Sequence, residues 1–225
     1  MITDEFKIYD TFVKKGDIVY DIGAHIGKMS QYFIGKCRAK VIYAFEPSPY
    51  NFRDLKINCL GFNIKCFQVA LHEQEYECET PFKDCKTDYM ENGIKLDTIQ
   101  HIKYVILENF IKENSLELPN FIKLDIEGME SQVLKTFEYF FSDVRPIMYV
   151  EIHAQPRNIN NQNYENNPHF RFVEQGGFDF NELKKFDYRI IKDDNLTIIS
   201  EEVNYNPEEG FHGSFVLIPK EKYNL

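Results

Sequence analysis

The chain has 225 residues, 43% of them hydrophobic, and its 20 Phe and 14 Tyr supply enough apolar surface for a core without metal or disulfide staples, which excludes a disordered chain. A formal net charge of -10, with basic groups as short and scattered as Lys14-Lys15 and Lys184-Lys185, argues against a nucleic-acid partner. Cys37, Cys59, Cys66, Cys78 and Cys85 are odd in number and contain no C-x-x-C, so they fit a reducing, cytoplasmic setting better than a disulfide framework or a zinc ribbon.

Residues 1–16 carry too many charges for a signal peptide, and no apolar run approaches the roughly 18 residues of a membrane span, so no membrane attachment is expected. Residues 17–22 are a β-rich run that stops at Gly23, and a helical pattern through Ile26, Met29, Phe33 and Ile34 follows. The apolar run 41–45 stops at Glu46-Pro47, after which Ser48 and Pro49 open a helix through Phe52, Leu55 and Cys59. Residues 64–71 read as a third strand. Residues 72–104 are polar, with Tyr76, Cys78, Thr80 and Phe82 alternating as in an edge hairpin followed by a loop.

Residues 107–114 read as a helix and 121–125 as a strand, followed by a helix with Met129, Val133, Leu134 and Phe137 on one face. Another strand is predicted at 147–152, and the asparagine-rich stretch 154–169 begins just past its end. Two last strands are predicted at 188–191 and 214–218, the final one pairing at the sheet edge. Strands alternating with helices give an α/β fold, one domain over residues 1–225, with a parallel sheet covered on both faces and ligands bound beyond the carboxyl ends of its strands.

The segment Asp21-Ile22-Gly23-Ala24-His25-Ile26-Gly27 ends the first strand and Glu46 ends the second. Glycines there let the backbone approach a ligand, and an acid on the neighbouring strand end can accept hydrogen bonds from ribose hydroxyls, so a nucleoside cofactor is implied. The turn lacks G-x-G-x-x-G, and Asp21 sets a negative charge where a pyrophosphate would lie, which disfavours an NAD-dependent oxidoreductase and suits a sulfonium carrying an ammonium. A second group gathers Asp125, Glu127 and Glu130 after one strand with Glu151 and His153 on the next. Strand ends about 4.8 Å apart can present these groups to one pocket. Acids in a first helical turn also have a purely structural use, which would account for Glu127 and Glu130.

In order, V-Y-D-I-G-A-H-I-G, A-F-E-P-S-P, F-I-K-L-D-I-E-G-M-E and Y-V-E-I-H resemble the motifs of the FkbM family of methyltransferases, over about residues 16–153. The resemblance implies a three-layer, Rossmann-like class I sheet of seven strands in the order 3-2-1-4-5-7-6, the seventh antiparallel, and S-adenosylmethionine as cofactor. It implies that Asp21, Gly23, Ala24, His25 and Gly27 line the methionine and ribose side. Glu46 with Pro47 would hold the ribose, Val69, Ala70 and Leu71 would approach the adenine, and Asp125 would border the cofactor. The family commonly has Asn where this chain has His25.

The implied activity is O-methylation of a hydroxyl on a small molecule or sugar, with Asp125, Glu127 and His153 as catalytic candidates and His153 or Asp125 taking the proton. Asp125, Glu127 and Glu151 could hold Mg²⁺, but no ligand spacing is diagnostic, so no metal is predicted. Base methylation is disfavoured because Asp125-Ile126-Glu127-Gly128 stands where an N/D-P-P-Y/F motif would. The rival of another class is an inactive cofactor-binding or scaffold protein. Residues 72–104 and 154–169 are the candidate acceptor-selecting segments.

Overall fold

Val41–Phe45 has no charged side chain and is buried at every position, which only a central strand covered on both faces can satisfy. The computed structural model describes residues 4–81, 90–91, 94–95, 99–154, 178–192, 197–198 and 211–223, and sets this strand inside a sheet. In chain order the elements are α1 (Asp4–Phe12), β1 (Ile18–Ile22), α2 (Lys28–Gly35), β2 (Val41–Phe45), α3 (Pro49–Asn58) and β3 (Ile64–Phe67). Then come β4 (Ala70–Leu71), β5 (Tyr76–Pro81), β6 (Met90–Glu91), β7 (Ile94–Lys95), β8 (Ile99–Val105), α4 (Leu107–Asn114), β9 (Phe121–Leu124) and α5 (Glu130–Lys135). The last are β10 (Ile147–Ala154), β11 (Tyr188–Lys192), β12 (Thr197–Ile198) and β13 (Phe211–Pro219).

The main sheet runs β3-β2-β1-β9-β10-β13-β11, with the two-residue β12 added beyond β11. Strands β3, β2, β1, β9 and β10 are parallel, and β13 enters antiparallel to both β10 and β11. This is the expected seven-strand order. One face carries Tyr20, Ile22, Tyr43, Phe45, Ile122, Leu124 and Val150 against Phe110 and Ile111 of α4, Val133 and Leu134 of α5, and Phe137, Phe140 and Phe141. The other carries Val19, Ile42, Ala44, Phe121 and Tyr149 against Ile8, Tyr9 and Phe12 of α1, Phe33 of α2 and Leu55 of α3. A helix-sheet-helix sandwich results.

Several elements depart from the expectations. Residues 64–71 are not one strand: β3 pairs with β2 only as far as Phe67, and Ala70-Leu71 turns away to pair with Tyr104-Val105 of β8. Strand β5 pairs antiparallel with β8, so the alternating residues 76–81 join a separate three-stranded sheet, β4-β8-β5, rather than an edge hairpin of the main one. The helix after Asp125 stops at Lys135, and a π-helical turn, Phe140–Val144, follows. The final strand β13 lies between β10 and β11 rather than at the edge, because both its neighbours run antiparallel to it and can only flank it. Helix α1 was not expected. Phe82 and residues 155–169 fall outside the described residues.

Candidate active site

Buried polar side chains are costly unless they serve a partner, so their positions locate function. Among the described residues they are Asp21, Ser30, Glu46, Ser48, Asn51, Lys123, Glu130 and Ser131, and all lie at the carboxyl ends of β1, β2 and β9 or on the helices that follow.

At the end of β1 the chain turns through two left-handed glycines and a left-handed histidine, with φ of 82° at Gly23, 50° at His25 and 86° at Gly27. A Cβ on Gly23 would lie 1.8 Å from the Asp125 carbonyl oxygen, so no other residue lets the β1 and β9 turns touch. His25 adopts a left-handed conformation that Asn and His tolerate better than most residues, so the turn accepts a histidine here. The amides of Gly23 and Ala24 both donate to the Phe45 carbonyl at 3.0 Å, Gly27 N–H donates to Ala24 O at 2.8 Å, and His25 N–H donates to Glu46 Oε2 at 2.9 Å. These four amides are thus spent inside the protein, and two carboxyl groups, of Asp21 and Glu46, lie beside them. Two buried carboxyl groups beside a loop whose Gly23, Ala24, His25 and Gly27 amides are already used disfavour a pyrophosphate, in keeping with the missing dinucleotide motif.

Asp21 is fully buried. Its Oδ2 accepts from Ser30 Oγ at 2.5 Å, while Oδ1 has no hydrogen-bond partner. Burial pushes its carboxyl pKa up, against the opposing pull of the Lys123 ammonium. Glu46 is also held above the carboxylate range by burial, although Ser48 N–H at 2.9 Å, Asn51 Nδ2 at 3.3 Å and His25 N–H all donate to it. A carboxylate offers about four acceptor positions, so these three leave Glu46 about one for a ligand hydroxyl. Ser48 Oγ and Asn51 Oδ1 are likewise buried without a partner. Pro47 is half-buried beside them. Ala70 and Leu71 lie beyond the end of β3, and Leu71 packs in the cluster that holds Phe45 and Phe67.

Asp125 follows β9, with its N–H donating to Ile22 O at 3.1 Å and its Oδ2 accepting from Lys123 Nζ at 2.9 Å. Glu127 is exposed, on a left-handed residue with φ of 57°. Glu130 is fully buried, and its carboxylate accepts from Ile126 N–H and Gly128 N–H at 3.0 to 3.1 Å. It ties down its own turn, the structural use open to an acid at that position. Glu151 is half-buried on β10 and in register with Ser214, and His153 is in register with His212.

The three proposed metal ligands do not form an ion site: among the described residues no three His, Cys, Asp or Glu side chains are grouped to hold a metal. Lys123 already occupies an oxygen of Asp125, and Glu127 sits on an exposed turn. The Mg²⁺ option is therefore withdrawn. The sequence reading also missed Lys123, Ser30 and Asn51. Of these, Lys123 left a trace, as the one charge inside an apolar strand.

His25 has its pKa lowered by burial and by Lys28, with Asp125 and Asp54 opposing. It is neutral at pH 7 and contributes no positive charge to the site.

Comparison with known proteins places this geometry. The methyltransferase FkbM domain matches residues 21–216, most of the chain. A crystal structure of methyltransferase FkbM from Methylobacillus flagellatus KT is similar, with 18% identity and a TM-score of 0.53 over 89% of this chain. That alignment takes in only 43% of the other protein, so this chain spans less than half its length. A fibrillarin pre-rRNA processing protein of Methanococcus jannaschii gives 15% identity and a TM-score of 0.49, over 93% of this chain and 69% of that one. No curated protein matches the chain. The domain match, covering the strand ends that carry Asp21, Glu46, Asp125 and Glu151, shows that the chain belongs to the FkbM methyltransferase family.

Proposed function

We propose that this protein transfers a methyl group from S-adenosylmethionine to a hydroxyl of a small molecule or sugar. The observation that carries the cofactor assignment is the fully buried Asp21, whose Oδ1 lacks a partner one strand away from the nearly saturated Glu46. An unpaired buried carboxylate oxygen calls for a cationic or hydrogen-bonding ligand. The ammonium of the cofactor's methionine part meets that need, and a ribose hydroxyl fits the remaining acceptor position of Glu46. The residues present fit the group. Asp21, Gly23, Ala24, His25 and Gly27 would hold its methionine side, Glu46 and Pro47 its ribose, and Ala70 and Leu71 its adenine, with Asp125 at the methyl end.

When bound, S-adenosylmethionine supplies a methyl group on a sulfonium, an excellent leaving group. The protein then has to place the acceptor in line and take its proton. Asp125 and His153, on the ends of neighbouring strands β9 and β10, are the groups for that proton, and Glu127 lies on the turn beside them.

Residues 72–104 and 154–169 select the acceptor in this reading, within one domain spanning residues 1–225. Support for the first comes from the β4-β8-β5 sheet, where Tyr76 and Tyr104 stack at 4.4 Å with His72 edge-on to both, a platform suited to a sugar or aromatic face. A net charge of -10 speaks against a nucleic-acid acceptor. Among the described residues no helix is long and apolar enough to cross a membrane, and Cys37, Cys59, Cys66 and Cys78 are free thiols, which supports a cytoplasmic setting.

The test is release of S-adenosylhomocysteine from S-adenosylmethionine over a panel of hydroxylated acceptors, for the wild type and for Asp125→Asn. Acceptor-dependent release that the substitution abolishes, with the fold intact, supports the reading. Turnover unchanged in Asp125→Asn removes Asp125 from the chemistry, and amine-only acceptance overturns O-methylation.

A further inference from the structure

The mechanism above makes no use of the only charged residue inside β9. Strand β9 is Phe121-Ile122-Lys123-Leu124, and Lys123 is 4% exposed, with Asp21 of β1 beside it in register on one side and Tyr149 of β10 on the other. A strand buried on both faces is normally apolar throughout, so an ammonium there needs a reason beyond packing. By the strand period of two, Lys123 points to the same face as Asp125, and Nζ lies 2.9 Å from Asp125 Oδ2. The Lys123 side chain is nearly inaccessible while that of Asp125 is one-quarter exposed, so the pair spans from the protein interior to the site surface. Lys123 also pulls the Asp21 carboxyl downward against its burial. The carboxyl groups of Asp21 and Asp125 thus flank one ammonium at the ends of β1 and β9.

We propose that Lys123 is a positioning residue of the transfer site, acting through its ion pair with Asp125 to fix the carboxylate that a sulfonium nucleoside meets. This rests on the cofactor reading above. A carboxylate hydrogen-bonded to a buried ammonium is held in one orientation, whereas one released at a quarter-exposed strand end samples several. The lysine supplies that restraint from behind, where it touches neither cofactor nor acceptor.

The experiment is a double-mutant cycle read by calorimetric titration with S-adenosylhomocysteine, below the unfolding temperature of every variant, on wild type, Lys123→Met, Asp125→Asn and the double variant. Lys123→Met is expected to weaken binding about tenfold, Asp125→Asn by a similar factor, and the double variant to stay within about threefold of Asp125→Asn alone, because nothing remains to be positioned. If Lys123→Met does not fold, Asp125→Asn and the double variant decide: equal affinities support the proposal, and a further tenfold loss of about 1.4 kcal/mol overturns it.

A purely structural ion pair would lower the melting temperature and leave the dissociation constants at the wild-type value, which also overturns it. Wild-type protein that binds neither S-adenosylhomocysteine nor S-adenosylmethionine overturns the cofactor reading and this proposal together. Wild-type binding that Lys123→Met leaves intact overturns this proposal alone.

Discussion

The ends of β1 and β2 differ from the ends of β9 and β10 in how their acids are held. At the first pair, Asp21 and Glu46 are buried, and Ser30 on one and Ser48, Asn51 and the His25 amide on the other fix them before any ligand arrives. At the second pair, Asp125 is one-quarter exposed and ion-paired with Lys123, and Glu127 stands exposed on a left-handed turn. The contrast suits a division of labour in which Asp125, held by Lys123 yet partly open, stands at the boundary between the two halves. A constant cofactor rewards a rigid site whose desolvation is met by folding, and an acceptor that must enter and leave needs groups reachable from solvent.

The sharpest way to break the comparison is at the point where the two halves touch. Gly23→Ala would drive a Cβ into the Asp125 carbonyl, and its left-handed φ adds strain, so a loss of about 4 kcal/mol or failure to fold is expected in chemical denaturation. Stability within about 1 kcal/mol of wild type would mean that the two turns do not press together as described.

Next in size, Glu46→Ala removes a charged acceptor and should weaken S-adenosylhomocysteine binding by about 1.5 to 3 kcal/mol, while Glu127→Gln should leave it within about 0.5 kcal/mol. Titration calorimetry on both variants tests the split, and equal losses would erase it.

Glu130→Ala separates a structural acid from the site acids. It frees the buried Gly128 amide and the part-buried Ile126 amide, so it should cost about 1 to 3 kcal/mol of stability with an unchanged cofactor dissociation constant for the folded protein.

The smallest effect is the most diagnostic of the buried half. Because folding raises the carboxyl pKa of Asp21 and Glu46, each contributes stability that is fully present below its unfolded pKa, about 3.8 for Asp21, and is lost as pH rises through the higher folded value. Asp21→Asn should therefore melt above the wild type at pH 7 and lose that advantage as the pH is lowered, while binding cofactor worse. A variant less stable than wild type at pH 7 would show that Lys123 and Ser30 outweigh burial.

The first two strands of the parallel core were legible in the sequence because each is a short run closed by a glycine or proline, as at Asp21-Ile22-Gly23 and Phe45-Glu46-Pro47. Helix α1 was not, since Ile8, Tyr9 and Phe12 are interleaved with charges, although their spacing matches the helical stripe that packs against Tyr149 and Phe33. Strand β4 was misassigned because Ile64 to Leu71 is continuous in hydrophobicity while its hydrogen bonds change sheets after Phe67. Among the site residues, Asp21 and Glu46 could be found because they end strands beside glycine or proline. Glu130 looked like one more acid of a cluster, and only its bonds to Ile126 and Gly128 reveal that it serves its own turn. Ser30 and Asn51 lie in helices where nothing in the spacing separates a buried partner from a surface polar residue.

The central claim, that this site is built for a sulfonium nucleoside, is tested most directly by thermal unfolding with S-adenosylmethionine, S-adenosylhomocysteine and NAD in parallel. At about 100 times its dissociation constant a ligand adds about 2.7 kcal/mol, a rise of roughly 5 to 10 °C for a chain of this size. The account predicts that rise for the first two ligands and none for NAD. A rise with NAD alone would contradict it, and so would three unshifted curves.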